Sequence, residues 1–145
     1  GVVAGSLSAQ HGWKYGVHTR RMFTFALDGS ESIPSNLPAA YATPVDIPDF
    51  KVDRELADYG QELYAGYCLL CHGSGLTSGG GAPDLRESPI AMSSETFKLV
   101  VIEGARVSAG MPHFPDFEKR ELDGLMHYIR RVARETVGKP IYRLD

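Results

Sequence analysis

The sequence predicts a mainly α fold: a three-helix domain preceded by a β-strand segment and a Pro-rich linker. Three observations lead there. Apolar residues recur at helical spacing across 53–136, residues 22–27 alternate with a period of two, and Pro34, Pro38, Pro44 and Pro48 crowd the stretch between. The expected divisions are a terminal strand segment at 1–32, an interdomain linker at 33–52, the helical domain at 53–136 and a C-terminal tail at 137–145. A length of 145 residues suits one ordinary domain with an appendage.

Within the strand segment, Phe23, Phe25 and Leu27 fall on one side and Met22, Thr24 and Ala26 on the other, closing on the turn dipeptide Asp28-Gly29. So little apolar material makes no sheet of its own, which suggests a piece of something larger. The linker reads as an extended tether, because proline removes a backbone donor and biases its predecessor away from helix. A loop packed on the globular part through Tyr41, Ile47 and Phe50 is the other reading.

The first helix starts at Asp53, an N-cap residue, with Glu55 in its first turn. Leu56, Gly60, Leu63, Tyr64 and Tyr67 lie along one side, and the helix runs to about Cys68. The second begins near Ser93 or Ser94, carries Phe97, Val100 and Val101, and stops at Gly104. The third keeps a 3.6 period through Leu122, Leu125, Met126, Ile129, Val132 and Ala133, from about Glu118 to Glu135. Arg130, Arg131 and Arg134 stand at its carbonyl end, where positive charge is favoured, and Arg130 is expected on a surface far from the functional edge.

Composition excludes several classes. Lys plus Arg number 15 against 18 Asp plus Glu, a net charge of −3, with no basic block, so nucleic acid is not an expected partner. No run approaches the roughly 20 apolar residues of a membrane span. Gly1 to Gln10 has no basic n-region and no uninterrupted apolar core, so the chain reads as mature or as a fragment. Its 2 cysteines close at most one disulfide, so a core of ordinary size must hold the fold.

Those cysteines carry the chemistry. Cys68-Leu69-Leu70-Cys71-His72 has the spacing by which two thiols add to the vinyl groups of one haem while the next imidazole reaches the iron. A disulfide, half of a zinc site and a thioredoxin-like pair compete. Zinc needs further thiolates or imidazoles, and no second Cys pair exists. A thioredoxin-like motif needs a βαβ setting, whereas this one follows a helix and precedes a glycine-rich loop.

The opposite face of the iron has eight candidate ligands: Met22, Met92, Met111, Met126, His11, His18, His113 and His127. Met126 belongs to the apolar stripe of the third helix, and Met22, His11 and His18 lie beyond the linker. Met111 sits in Ser108-Ala109-Gly110-Met111-Pro112, an irregular loop where glycine lets the backbone approach and proline directs the chain. Met111 is favoured, with His113 second.

With these residues assigned, 53–136 resembles a class I type cytochrome c domain: helix, CxxCH, glycine-rich loop, short helix, Met-Pro loop, closing helix. Gly60 and Tyr64 resemble the small residue and aromatic at the crossing of the terminal helices, facing Leu125 and Tyr128. Pro83, in Gly81-Ala82-Pro83-Asp84-Leu85-Arg86, resembles the family's proline whose carbonyl accepts the Nδ1 proton of the ligating His. Arg86 resembles a residue near a haem propionate. The resemblance implies His72 and Met111 as metal ligands and Cys68, Cys71, Pro83 and Arg86 as cofactor-binding residues. Two departures predict a late or frayed start to the closing helix: Glu118 stands where the family usually has Ser or Thr, and Gly124 lies inside the helix, each costing about 1 kcal/mol.

Upstream, Trp13-Lys14-Tyr15-Gly16, then Arg20-Arg21-Met22-Phe23-Thr24-Phe25-Ala26-Leu27-Asp28-Gly29 and Ile33-Pro34, is similar to the end of the catalytic propeller in PQQ-dependent quinohaemoprotein alcohol dehydrogenases. In those enzymes a propeller holding PQQ and calcium is joined to a C-terminal cytochrome c. The resemblance implies one covalent haem c here, and PQQ and calcium only in a catalytic domain that this sequence does not include. The implied function is one-electron transfer, not catalysis, from the propeller domain to a small acceptor: a cytochrome, a copper protein or a quinone system. Covalent haem attachment implies maturation outside the cytoplasm, hence a bacterial periplasm. A peroxidase-like haem enzyme and a cytochrome subunit docking on a separate dehydrogenase chain are the alternatives.

Overall fold

The computed structural model describes residues 7–18 and 21–139. Residues 1–6 of the expected strand segment, Arg20 of its motif and residues 140–145 of the tail lie outside that description.

Helix α1 (Arg54–Tyr67) opens where expected, because the Asp53 carboxylate accepts the Leu56 N–H at 3.0 Å. Its buried stripe is Ala57, Gly60 and Tyr64. Tyr67, expected on that side, is half exposed and makes edge contacts with Phe114 and Phe117. A single helical turn, α2 (Leu69–His72), follows directly. Helix α3 (Ser94–Val101) is capped by the Ser93 hydroxyl and buries Phe97, Val100 and Val101. It ends at the Ile102 C-cap, short of Gly104, whose φ of +76° instead turns the chain two residues later.

Helix α4 (Lys119–Thr136) starts on time despite Glu118. The Glu118 N–H donates to the Glu121 carboxylate at 3.0 Å, so the first turn is held by a residue inside the helix. The expected fraying is therefore absent. Gly124 is no weak point either: it is where α4 crosses α1, with the Gly60 backbone lying directly against it. The α1/α4 pair, with α3 and Leu76, encloses one core of Tyr64, Leu76, Phe97, Val101, Leu125 and Ile129.

The expected β-strand does not form. Residues 21–26 have no regular structure, and Met22, Phe25 and Leu27 are almost fully exposed. A strand requires a neighbouring edge to take its N–H and C=O groups, and no described segment offers one. What precedes it is helical instead, at residues 7–10.

The linker divides between its two readings. Residues 31–39 are exposed and without regular structure, whereas 41–50 dock on the helical domain. The Thr43 N–H donates to Glu87 at 2.9 Å, the Val45 N–H donates to the Arg86 carbonyl at 3.0 Å, and the Phe50 ring lies 4.8 Å from His127. The arginines of α4 complete the docking. Arg134 donates to Asp46 at 2.9 Å and to the carbonyls of Ile47 and Phe50 at 2.9 and 2.8 Å. Arg130 donates to the Val45 carbonyl at 3.1 Å, while Arg131 reaches Asp58 and Gln61 of α1. Arg130 is thus not a surface residue: it is 1% exposed, because residues 41–50 cover the helix face from which it projects.

Candidate haem site

The attachment motif straddles the junction of α1 and α2. Cys68 caps both helices, Cys71 lies one turn later, and both thiols are free. Cys71 is exposed and Cys68 half-buried, and burial pushes the Cys68 thiol up to about 11. Cys68 is thus not a ready thiolate metal ligand, and no group of three or more His, Cys, Asp or Glu side chains suited to a metal stands among the described residues.

Next to them His72 is buried, 7% exposed, with its Nδ1 2.9 Å from the Pro83 carbonyl. A carbonyl only accepts, so Nδ1 carries the proton and Nε2 keeps its lone pair. Burial lowers the imidazole pKa, opposed by the Pro83 hydrogen bond and by Asp84, which favours the neutral ring that a metal needs. Among the described residues no hydrogen bond occupies Nε2. Two thiols within one turn and a neutral imidazole of set tautomer form the donor set that a covalently attached haem requires, so the residues present fit the group.

The loop after the motif is shaped by close approach. Gly73 adopts φ +80°, and a Cβ there would collide with the Thr77 carbonyl. The Tyr64 hydroxyl donates to the Gly73 carbonyl at 2.5 Å, tying the end of α2 to the α1/α4 crossing. Gly80 adopts φ +85°, and the indole of Trp13 occupies the space a Cβ would need. Lys14 pairs with Glu87 at 2.9 Å, so residues 13 and 14 bind the helical domain.

The expected site residues separate on this frame. Cys68, Cys71, His72 and Pro83 are brought together. Met111 is partly buried and packs on the core, after a 3₁₀ turn at Val107–Ala109 and Gly110 at φ +88°. Met92 is likewise partly buried and His11 is exposed, and the other rivals are placed otherwise. His113 is exposed and lies against Gly104, Met126 is in the core, Met22 is exposed, and the Nδ1 atoms of His127 and His18 accept the backbone N–H groups of Asp53 and Lys14. Arg86 is buried and paired with Asp84, Nε to Oδ1 at 2.9 Å and Nη2 to Oδ2 at 2.7 Å. That bidentate pair commits two of its donors to the loop's own carboxylate.

Sequence reasoning missed Asp84, Arg130 and the Tyr64 hydroxyl. The spacing of Asp84 and Arg86, two residues apart beside a proline, is the one local signal that could have marked the first. The other two depend on partners 45 and 9 residues away.

Residues 55–129 match the family model described as Cytochrome C oxidase, cbb3-type, subunit III. The chain is 39% identical over 101 residues to quinohemoprotein alcohol dehydrogenase ADH IIB of Pseudomonas putida, covering 70% of this chain and 14% of that protein. It is 29% identical over 133 residues to the dehydrogenase subunit of the quinone alcohol dehydrogenase of Gluconobacter oxydans, covering 91% and 17%. Among solved structures, quinohemoprotein alcohol dehydrogenase ADHIIG of Pseudomonas putida HK5 superposes with a TM-score of 0.58 at 33% identity, over 76% of this chain and 16% of that one. The chain thus spans less than a fifth of the length of each relative.

Proposed function

The chain belongs to the cytochrome family described as Cytochrome C oxidase, cbb3-type, subunit III, and from that premise we propose that it carries single electrons through one haem c bound to Cys68 and Cys71, with His72 and Met111 as axial ligands. The observation that carries the reading is the His72 Nδ1 to Pro83 carbonyl contact at 2.9 Å, one residue from Cys71. When bound, the haem supplies a one-electron Fe(III)/Fe(II) couple whose potential a thioether ligand raises.

The protein's part is to hold and to insulate. Cys68 and Cys71 anchor the group, Pro83 orients His72, and the core residues Leu76, Phe97 and Val101 exclude water. Leu70 is 77% exposed and Cys71 is exposed beside it, which makes the motif's outer edge the natural point of electron exchange. Arg86 is best read as a brace of the Pro83 loop that can also face a propionate.

The donor is the PQQ-binding propeller of a longer quinohaemoprotein alcohol dehydrogenase, which would also hold the calcium, and the acceptor a small periplasmic cytochrome, copper protein or quinone system. Exposed Phe23, Phe25 and Leu27 support the donor assignment, since such an arm requires cover from outside the helices. Residues 1–32 belong on that reading to the propeller, 33–52 to the linker and 53–136 to the cytochrome. No described helix is long and apolar enough to cross a membrane.

Mass spectrometry of the denatured chain, expressed in a bacterial periplasm with haem-attachment machinery, tests the proposal. Retention of the mass of one haem supports it. A chain that binds haem only reversibly, or not at all, overturns it.

A further inference from the structure

The loop that presents the Pro83 carbonyl to His72 is closed by a ring of hydrogen bonds through two distant segments. Arg130 of α4 donates from Nη2 to the Leu85 carbonyl at 3.3 Å and from Nη1 to the Val45 carbonyl at 3.1 Å. The Val45 N–H donates to the Arg86 carbonyl at 3.0 Å, which completes the ring. Inside it, Asp84 accepts the Arg86 backbone N–H at 3.0 Å as well as the guanidinium.

Arg130 is an expensive residue for this task. Its side chain is among the largest fully buried ones, no carboxylate of the described residues forms an ion pair with it, and its Nε has no hydrogen-bond partner among them. Burial lowers its pKa, with Asp46 opposing, and an incompletely satisfied buried guanidinium is less stabilising than an apolar side chain of similar length. Its distinctive contribution is geometric: two planar donors aimed at two carbonyls on different segments.

We propose that Arg130 is a positioning residue for His72, joining the Leu85 and Val45 carbonyls so that the Pro83 carbonyl is held on Nδ1 and the docked segment 41–50 is coupled to the iron ligand. The inference rests on the reading of His72 as that ligand. A firm Nδ1–H bond makes the imidazole more basic at Nε2, which favours Fe(III). A loop free to drift weakens the bond and raises the potential. Because Val45 is the residue of segment 41–50 that lies in the ring, a partner that displaces Val45 alters the same bond.

The test uses the haem-loaded chain and four variants. Arg130→Met and Arg130→Lys remove the double clamp, the second keeping the charge. Val45→Pro removes the N–H that bonds Arg86 and leaves Arg130 intact. Arg134→Met frees Asp46, Ile47 and Phe50 without touching the ring. Both Arg130 variants should shift the ferric-to-ferrous ratio at a fixed electrode potential about fivefold towards ferrous, a rise of about 41 mV at 59 mV per decade. The His72 Nδ1–H should exchange with solvent about tenfold faster in the ferrous form, read by NMR. Val45→Pro should move both readings in the same direction by less, while Arg134→Met should lower the thermal midpoint and move neither.

An Arg130 variant with the parent's potential and exchange rate overturns the inference, as does an Arg134→Met shift equal to that of Arg130→Met. If Arg130→Met does not hold a folded domain, Arg130→Lys and Val45→Pro decide. The two readings fail separately: absence of covalent mass rejects the haem assignment, whereas covalent haem with unmoved potentials rejects only the positioning role.

Discussion

Gly60 of α1 lies against the Gly124 peptide of α4 so closely that a Cβ at Gly60 would overlap the Gly124 carbonyl, while a Cβ at Gly124 would stand 3.1 Å from the Tyr59 ring and 3.3 Å from the Gly60 nitrogen. The crossing is a contact of two backbones, and neither can retreat without moving its helix. Gly60→Ala should therefore destabilise the haem-loaded chain by about 3 kcal/mol or more, at the upper end for overpacking. Gly124→Ala, which meets the ring edge first, should cost less. Denaturant unfolding of both variants checks the order.

Met111→Ala should leave haem attached, because attachment depends on Cys68 and Cys71. It should abolish the ferric thioether charge-transfer band and lower the potential. A variant that keeps the band would move the ligand elsewhere, with partly buried Met92 next in line.

Cys71→Ala should leave at most one thioether bond and reduce the yield of holoprotein several-fold. Acid–acetone extraction, which removes haem that is not covalently held, distinguishes single from double attachment when read with the pyridine haemochrome spectrum. A double-attachment spectrum in this variant would refute the motif assignment.

Tyr64 links stability to alkaline pH. Burial raises its pKa well above the ordinary 10.0, so above that pH the unfolded chain loses the proton while the folded chain keeps it. Stability is unaffected below pH 10.0 and falls above it, by up to about 1.4 kcal/mol per pH unit. Tyr64→Phe should cost about 1 kcal/mol at pH 7 through loss of the bond to Gly73, and should flatten the alkaline decline. Unfolding midpoints at pH 7, 9 and 11 give both terms, and an unchanged alkaline slope would reject the assignment.

Trp13 is the sole tryptophan, so its emission reports the docking of residues 7–18. A side chain at Gly80 would displace the indole and would itself sit at φ +85°. Gly80→Ala should red-shift the emission and relieve any quenching by the haem, with little change at the iron. Unaltered fluorescence would show that Trp13 packs elsewhere in solution.

Much of this was legible in one dimension. The helices are written in a 3.6-residue period and in caps such as Asp53 and Ser93, both local signals. The proposed attachment site is a five-residue motif whose chemistry requires that spacing, and the resemblance of Pro83 to a family pattern implies a carbonyl beside His72, where the structure has it 2.9 Å from Nδ1. The alternation at 22–27 gives no strand, because alternation is local whereas a strand exists only if another edge pairs with it, and the described residues contain none.

What only the tertiary structure decided depends on partners far apart in the chain. Three arginines that read as charges compensating a helix end are clamps: Arg134 holds carbonyls 87 and 84 residues away, and Arg130 one 85 residues away. Gly124, a defect by helix propensity, becomes the crossing point once Gly60 is brought against it. Propensity, capping and motif spacing are properties of neighbouring residues and survive in the sequence alone. The burial of Arg130 and the docking of residues 41–50 arise only when packing chooses which surfaces meet, because the cost of an unpaired polar group is set by what covers it.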